Sequence, residues 1–256
     1  MHMLHTANRR SVWRTLSASV VVFAGISAGV AMAEGLPLSG AIVIVDAQQG
    51  PYSDQYAAYF PINSEIPPGG EFYWSLLEDG PGQITFAHDL GVLENVTVDL
   101  VGDPSIYLDF TVRAGAYGTN YTITSALVSF GSIVNPDAFA TAGITVTDRN
   151  YDTATATGLM SGGKVFEARY NGSSVLASLV PSTGPTALGG TLTNSEMRPY
   201  GPLAATVGSM TSVFSFNLTP GDSASGTSGF TVLIPEPATL ILLAGGGLLL
   251  TRRRRG

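Results

Sequence analysis

The 256-residue sequence contains no cysteine. A disulfide framework, a cysteine-ligated zinc site, an iron–sulfur cluster and a thiol nucleophile all require that residue, so each is excluded. Histidine is also scarce, because only His88 lies beyond the first 33 residues. A Ser–His–Asp triad would have to use it as the base. No Gly-x-Ser-x-Gly turn accompanies His88, and we interpret it as a surface loop residue.

Positive charge is nearly absent from the middle of the chain. Residues 34–234 carry five basic side chains against 18 acidic ones, a formal charge of −13. Such a surface repels a phosphate backbone, which excludes ordinary nucleic-acid binding. The five basic residues are Arg113, Arg149, Lys164, Arg169 and Arg198.

No catalytic motif is found among these acidic residues. Paired carboxylates can hydrolyse glycosides, but Asp99 and Asp109 alternate onto the polar side of their strands, as a solvated coat would. We therefore predict no catalytic residue, no cofactor and no enzymatic activity. A glycoside-active enzyme remains the less favoured alternative.

The N-terminus has the three parts of a secretory signal peptide. Arg9, Arg10 and Arg14 precede an apolar run at residues 16–32, which ends in the small-residue motif Ala31-Met32-Ala33. Signal peptidase accepts small side chains at Ala31 and Ala33, so the sequence predicts cleavage before Glu34 and removal of residues 1–33.

The C-terminus has a second ordered pattern. Pro235-Glu236-Pro237 is followed by an apolar stretch at residues 238–250, Thr251 and four arginines. The prolines resist helix formation and keep the tripeptide extended. The apolar stretch with Thr251 is a short membrane span of about 21 Å as a helix. A basic cluster stops transfer on the cytoplasmic side, and here it consists of Arg252, Arg253, Arg254 and Arg255.

This pattern resembles the C-terminal sorting signal of PEP-CTERM proteins. The resemblance implies that Pro235, Glu236 and Pro237 are recognised by an exosortase, a membrane enzyme that cuts near the tripeptide. It further implies that residues 238–250 hold the chain in the membrane before processing, with the four arginines as the retention signal. Delivery to the cell surface or to an exopolysaccharide-rich, biofilm-type matrix is then expected, with the C-terminus anchored transiently or permanently.

The body alternates polar and apolar residues with the period of β-strands. The clearest strand is predicted at residues 105–113, and turn residues recur about every ten positions. Residues 121–130 are predicted as one strand, 136–142 as at most one helical turn, and 182–194 as a long loop. The predicted fold is all-β: a single β-sandwich or jelly-roll-like domain at residues 34–231, between the signal peptide and a sorting signal with a short transmembrane helix at 232–256.

Aromatic residues are concentrated between positions 52 and 74. Exposed rings can stack on sugar faces, whereas buried rings fill a core, which is the commoner use. The candidate glycan contacts are Tyr56, Tyr59, Tyr73 and Trp74.

A weak calcium pattern occurs near the middle of the chain. Asp148, Asn150 and Asp152 have the D-x-N-x-D spacing that begins an EF-hand loop. Thr153 replaces the turn glycine and Leu159 the final glutamate. A solvated turn is the favoured interpretation, and no dedicated metal site is predicted.

These features predict an exported structural or adhesive protein of an extracellular polysaccharide layer. The expected partners are signal peptidase and exosortase during export, the membrane before processing, and extracellular polysaccharide afterwards. A carbohydrate-binding module that uses the aromatic cluster is the alternative.

Overall fold

The structure is a computed structural model that describes residues 36–67 and 69–233. Within these ranges the regular secondary structure is strand, apart from single 3-10 turns at Ala87–Asp89 and Ser161–Gly163. The strands β1 to β17 are, in chain order, Leu36–Pro37, Ala41–Gln49, Tyr52–Tyr59, Glu65–Ile66, Glu71–Ser75, Ile84–Phe86, Gly91–Val101, Ser105–Ala114, Thr119–Ser125, Val128–Val134, Asp137–Thr147, Ala156–Gly158, Lys164–Tyr170, Ser174–Pro181, Thr191–Pro202, Thr206–Leu218 and Ser223–Leu233.

The strands form two large antiparallel sheets. The eight-stranded sheet has the order β14-β13-β16-β9-β2-β3, and β10 and β12 also pair with β16. The seven-stranded sheet has the order β15-β11-β17-β8-β7-β5, and β6 also pairs with β7. A short pair, β1 with β4, lies outside both sheets.

The period-two pattern places one face of each sheet in the core. In β8, Ile106, Leu108, Phe110 and Val112 are buried, whereas the residues between them are more exposed. This confirms the strand predicted at residues 105–113. Alternating apolar residues select this pairing because a slip of one residue would turn the whole apolar set to solvent.

Aromatic rings join the two sheets at the centre of the core. Phe110 of the seven-stranded sheet packs against Phe214 and Phe216 of the eight-stranded sheet, with ring centroids 4.9 and 5.9 Å apart. Gly226, on the strand beside Phe110, leaves room for its ring, which a Cβ at that position would meet. The sheets therefore pack face to face in a sandwich-like arrangement, as the sequence predicts.

The two lateral edges of the sandwich differ. At one edge Glu196 of β15 bridges to the other sheet: its Oε2 accepts hydrogen bonds from Lys164 Nζ and Val180 N, both at 2.7 Å. At the other edge β3 and β5 end their respective sheets. That edge contains the cleft described below.

The predicted helical turn at residues 136–142 is wrong. Residues 137–142 belong to β11, in which Ala138, Ala140 and Ala142 face the core. Alanine has high helix propensity and small apolar area, so its alternation gives a weak strand signal. The pairing of β11 with both β15 and β17 overrides that propensity.

Two further boundaries differ from the sequence predictions. The strand expected at residues 121–130 is divided into β9 and β10, because β16 pairs with each of them along different parts of its length. The loop expected at residues 182–194 ends early, since β15 begins at Thr191 and pairs with Thr147.

Between residues 36 and 233, leaving aside Pro68, no helix is long and apolar enough to cross a membrane. The signal peptide, with Ala31, Ala33 and Glu34, lies outside the described residues, as does the predicted membrane segment at 238–250. The sorting residues also lie outside them: Pro235, Glu236, Pro237, Arg252, Arg253, Arg254 and Arg255.

Candidate functional site

The predicted aromatic cluster lies on the two edge strands. Tyr56 and Tyr59 are on β3, and Tyr73 and Trp74 are on β5. Tyr59 and Tyr73 are 67% and 51% exposed, but Trp74 is only 8% exposed, because consecutive residues of a strand face opposite sides. Burial raises the pKa of Tyr56, which packs partly against the core.

Three of the four aromatic residues meet at a cleft of about 350 Å³ at this edge. Phe72 closes one side and contacts Phe60 edge-to-face, with ring centroids 5.0 Å apart. Tyr56 is not among the lining residues. The lining residues are Ile42, Tyr59, Pro61, Phe72, Tyr73, Trp74 and Asp79.

Asp79 adds a carboxylate to the cleft. It follows β5 in a tight turn, where Asp79 N donates to Ser75 O at 2.8 Å and Ser75 N donates to Asp79 Oδ2 at 3.0 Å. The reciprocal bonds hold the carboxylate beside the rings. Aromatic faces next to a positioned hydrogen-bond acceptor can contact a sugar ring and its hydroxyl groups. In the sequence, Asp79 is recognisable only as part of the turn signal Asp79-Gly80-Pro81, which does not show that its carboxylate reaches the aromatic residues.

The calcium pattern forms a hydrogen-bonded turn. Asp148 Oδ1 accepts from the backbone N–H groups of residues 150, 151 and 152, and Oδ2 accepts from those of Thr153 and Gly189. Burial opposes ionisation of Asp148, but these N–H donors outweigh it and lower its pKa. The Asp148 carboxylate thus organises the loop through hydrogen bonds to its backbone.

Asn150 is engaged in the same turn. Its Oδ1 accepts from Asp152 N at 3.3 Å and its Nδ2 donates to Pro220 O at 2.9 Å. Asp222, from the turn before β17, joins the cluster, so that carboxylate oxygens of Asp148, Asp152 and Asp222 lie within 4.8 Å of one another. Asp222 could not be associated with this loop from the sequence, because it is 70 positions from Asp152. Calcium binding stays the less favoured interpretation of this pattern.

His88 lies in the 3-10 turn after β6, and its ring stacks on Tyr52 with centroids 4.8 Å apart. Its φ of +56° belongs to the left-handed region. The backbone here turns sharply between β6 and β7, in agreement with its interpretation as a loop residue.

Comparisons with known proteins identify only the C-terminal end. Residues 233–255 match the family model of the PEP-CTERM protein-sorting motif. No curated protein matches the sequence. Among solved structures, a chain from the structure of infectious bursal disease virus Gt strain is similar, with 9% identity over 86% of this chain and 74% of that chain, at a TM-score of 0.24.

The chain therefore carries a PEP-CTERM sorting signal that begins at Leu233, the last residue of β17. This confirms the resemblance found in the sequence. The signal implies an exported protein that an exosortase processes.

Proposed function

We propose that the protein is a non-enzymatic component of the cell surface or extracellular matrix, where its β-sandwich has a structural or adhesive role in an exopolysaccharide layer. This proposal rests on the sorting motif at residues 233–255, because that motif is a signal of exported proteins. The acidic body supports it, since a protein of this charge stays soluble outside the cell and repels anionic surfaces.

The sorting part is tested by replacing Pro235, Glu236 and Pro237 together with alanine in the producing organism. The variant should disappear from the surface and matrix fractions and accumulate in the membrane fraction. Glu78→Ala, at an exposed position of the body, is the control and should be distributed as the unaltered protein. An unchanged distribution of the triple variant would contradict the proposal.

The adhesive part is tested on a strain that lacks the protein. Its polysaccharide layer should lose cohesion under shear, and supplying the unaltered protein should restore it. Restoration by the triple variant, despite its retention in the membrane, would show that the matrix location is not needed.

A carbohydrate-binding module is the second candidate, and the edge cleft favours it. Tyr59 and Tyr73 expose their rings beside the Asp79 carboxylate in a space that accommodates a sugar. Tyr59→Ala should weaken binding of the processed protein to the producer's polysaccharide about tenfold, the effect of losing one stacking contact.

Tyr117→Ala is the matched control, because Tyr117 is similarly exposed but lies in the loop between β8 and β9, away from the cleft residues. Trp74→Ala is less informative, since the buried indole also contributes to the core. Equal binding of the polysaccharide by the Tyr59 and Tyr117 variants would contradict glycan binding at the cleft.

A further inference from the structure

A second group of exposed aromatic residues lies on the outer face of the seven-stranded sheet. The strand register places Tyr73 of β5 directly opposite Asp99 of β7, and Asp99 opposite Tyr107 of β8. Tyr73 is 51% and Tyr107 44% exposed. Because neighbouring strands are about 4.8 Å apart, the two tyrosines begin about 10 Å apart with the carboxyl group between them.

The Tyr107 ring extends along the sheet surface. The next residue in the row is Gly229 of β17, which has no side chain to push the ring away. A Cβ at Gly229 would lie 3.3 Å from Cε1 and 3.4 Å from Cδ1 of Tyr107. The ring therefore covers the glycine, and its exposed part is available for stacking.

The carboxyl group in the middle of the row is incompletely satisfied. Asp99 Oδ1 is buried and has no hydrogen-bond partner in the part of the chain that the structure describes. Burial, followed by the negative charge of Glu71 on β5, raises the pKa of Asp99 to about 6. Two acidic groups thus lie close together beside two aromatic rings.

The basic side chains of the body do not neutralise the carboxyl groups of Glu71 and Asp99. Four of the five basic side chains in residues 36–233 pair with other acids: Arg113 and Arg149 with Glu94, Lys164 with Glu196, and Arg169 with Glu167. A ligand with an ammonium group would relieve the repulsion between Glu71 and Asp99. Tyrosine rings also attract ammonium groups through cation–π interaction.

We propose that Tyr73, Asp99 and Tyr107, with Glu71, bind a polysaccharide that contains unacetylated amino sugars. Tyr107 stacks on a pyranose ring, and the protonated amine of the ligand lies between the carboxyl groups of Asp99 and Glu71. This inference rests on the proposed role in a polysaccharide matrix. It uses a surface different from the edge cleft, and Tyr73 is the one residue that belongs to both.

The test is titration calorimetry of the processed protein with a hexamer of 1,4-linked glucosamine, in low-salt, near-neutral buffer above the Asp99 pKa of about 6. The fully N-acetylated hexamer is the comparison ligand. We expect binding of the amine form that is about tenfold tighter than binding of the acetylated form and that weakens with added salt. No binding, or equal binding of both hexamers, would overturn the proposal.

Variants locate the binding to this row. Asp99→Asn keeps the shape and removes the charge, and Tyr107→Leu keeps an apolar cover over Gly229 without the ring. Each should weaken binding about tenfold. Tyr117→Leu and the cleft variant Tyr59→Leu should bind as the unaltered protein does. Equal loss in all four variants, or no loss for Asp99→Asn and Tyr107→Leu, would contradict the assignment.

The result is separable from that of the proposed function. If the processed protein fails to bind the glucosamine hexamer but still depends on Pro235, Glu236 and Pro237 for its matrix location, the amino-sugar proposal alone is wrong. If surface delivery fails as well, the matrix role is wrong too.

Discussion

At the residue scale, a few buried polar groups hold loops against the core. Tyr121 is fully buried, and its hydroxyl lies 2.8 Å from Arg113 O and 3.0 Å from Leu90 O. Burial raises the pKa of this hydroxyl, which keeps it protonated as a donor. One residue thus connects β9 to the end of β8 and to the turn before β7.

We expect Tyr121→Phe to lower the free energy of unfolding by about 1 kcal/mol, the typical net contribution of one such hydrogen bond. The ring remains, and Thr119 Oγ1 still donates to Leu90 O, so the loss stays small. Urea denaturation measures it. Tyr117→Phe, at an exposed position, should change stability by less than about 0.5 kcal/mol, and an equal effect of both variants would contradict this role.

Asp99 gives stability a pH dependence of definite sign. Because its folded-state pKa is about 6, raised from 3.8, the folded protein binds more protons than the unfolded chain between these values. The contribution of Asp99 to the free energy of unfolding is fully present below about pH 4 and is lost as the pH rises through about 6. The change is on the order of 1 kcal/mol, because the partly exposed group is screened by solvent.

Denaturation midpoints between about pH 4 and pH 7 should therefore show a decline with pH that Asp99→Asn reduces. The neutral amide cannot titrate, so it serves as the reference. Identical pH profiles for the two proteins would show that Asp99 titrates normally in the folded state.

At the element scale, strands with large alternating apolar residues could be predicted, whereas β15 and the first half of β11 could not. Residues 105–113 alternate strongly because one face of β8 is in the core. β15 carries few large apolar residues and is largely exposed, so its strand state depends on pairing with β11. Such pairing involves residues some 50 positions apart, which a local pattern does not record.

The same distinction applies to the candidate sites. Tyr59, Tyr73 and Trp74 are close in sequence, so their cluster could be predicted, although the burial of Trp74 could not. The row of Tyr73, Asp99 and Tyr107 depends on the register of three strands. No spacing within the sequence indicates that register.

The bridge between the sheets at the β15 edge can be tested directly. Glu196 Oε2 accepts from Lys164 Nζ and Val180 N, and both interactions lower the pKa of Glu196. The stabilisation by ionised Glu196 is fully present above the pKa that this group has in the unfolded chain. It is lost as the pH falls through the lower pKa that Glu196 has in the folded protein.

Glu196→Gln should cost about 1 kcal/mol of stability near neutral pH, since the pair is partly exposed. The difference from the unaltered protein should shrink in acid. Glu78→Gln, at an exposed turn position, is the control and should have almost no effect. A constant difference at all pH values would mean that charge is not the cause.

At the scale of the whole molecule, the sequence patterns of the two termini concern export and sorting, whereas the body supplies the exposed surface. The sorting motif begins where the last core strand ends, so the sandwich can remain intact when the C-terminal segment is removed. In the proposed function, this acidic sandwich presents its exposed tyrosines, on one edge and one face, to the polysaccharide layer.

Export followed by exosortase processing is tested by the intact mass of the protein recovered from the surface and medium of the producing organism. We expect a chain that begins at Glu34 and ends near Pro235, which requires cleavage by signal peptidase and by exosortase. A mass that retains residues 238–256 would contradict exosortase processing and indicate a protein that keeps its C-terminal segment.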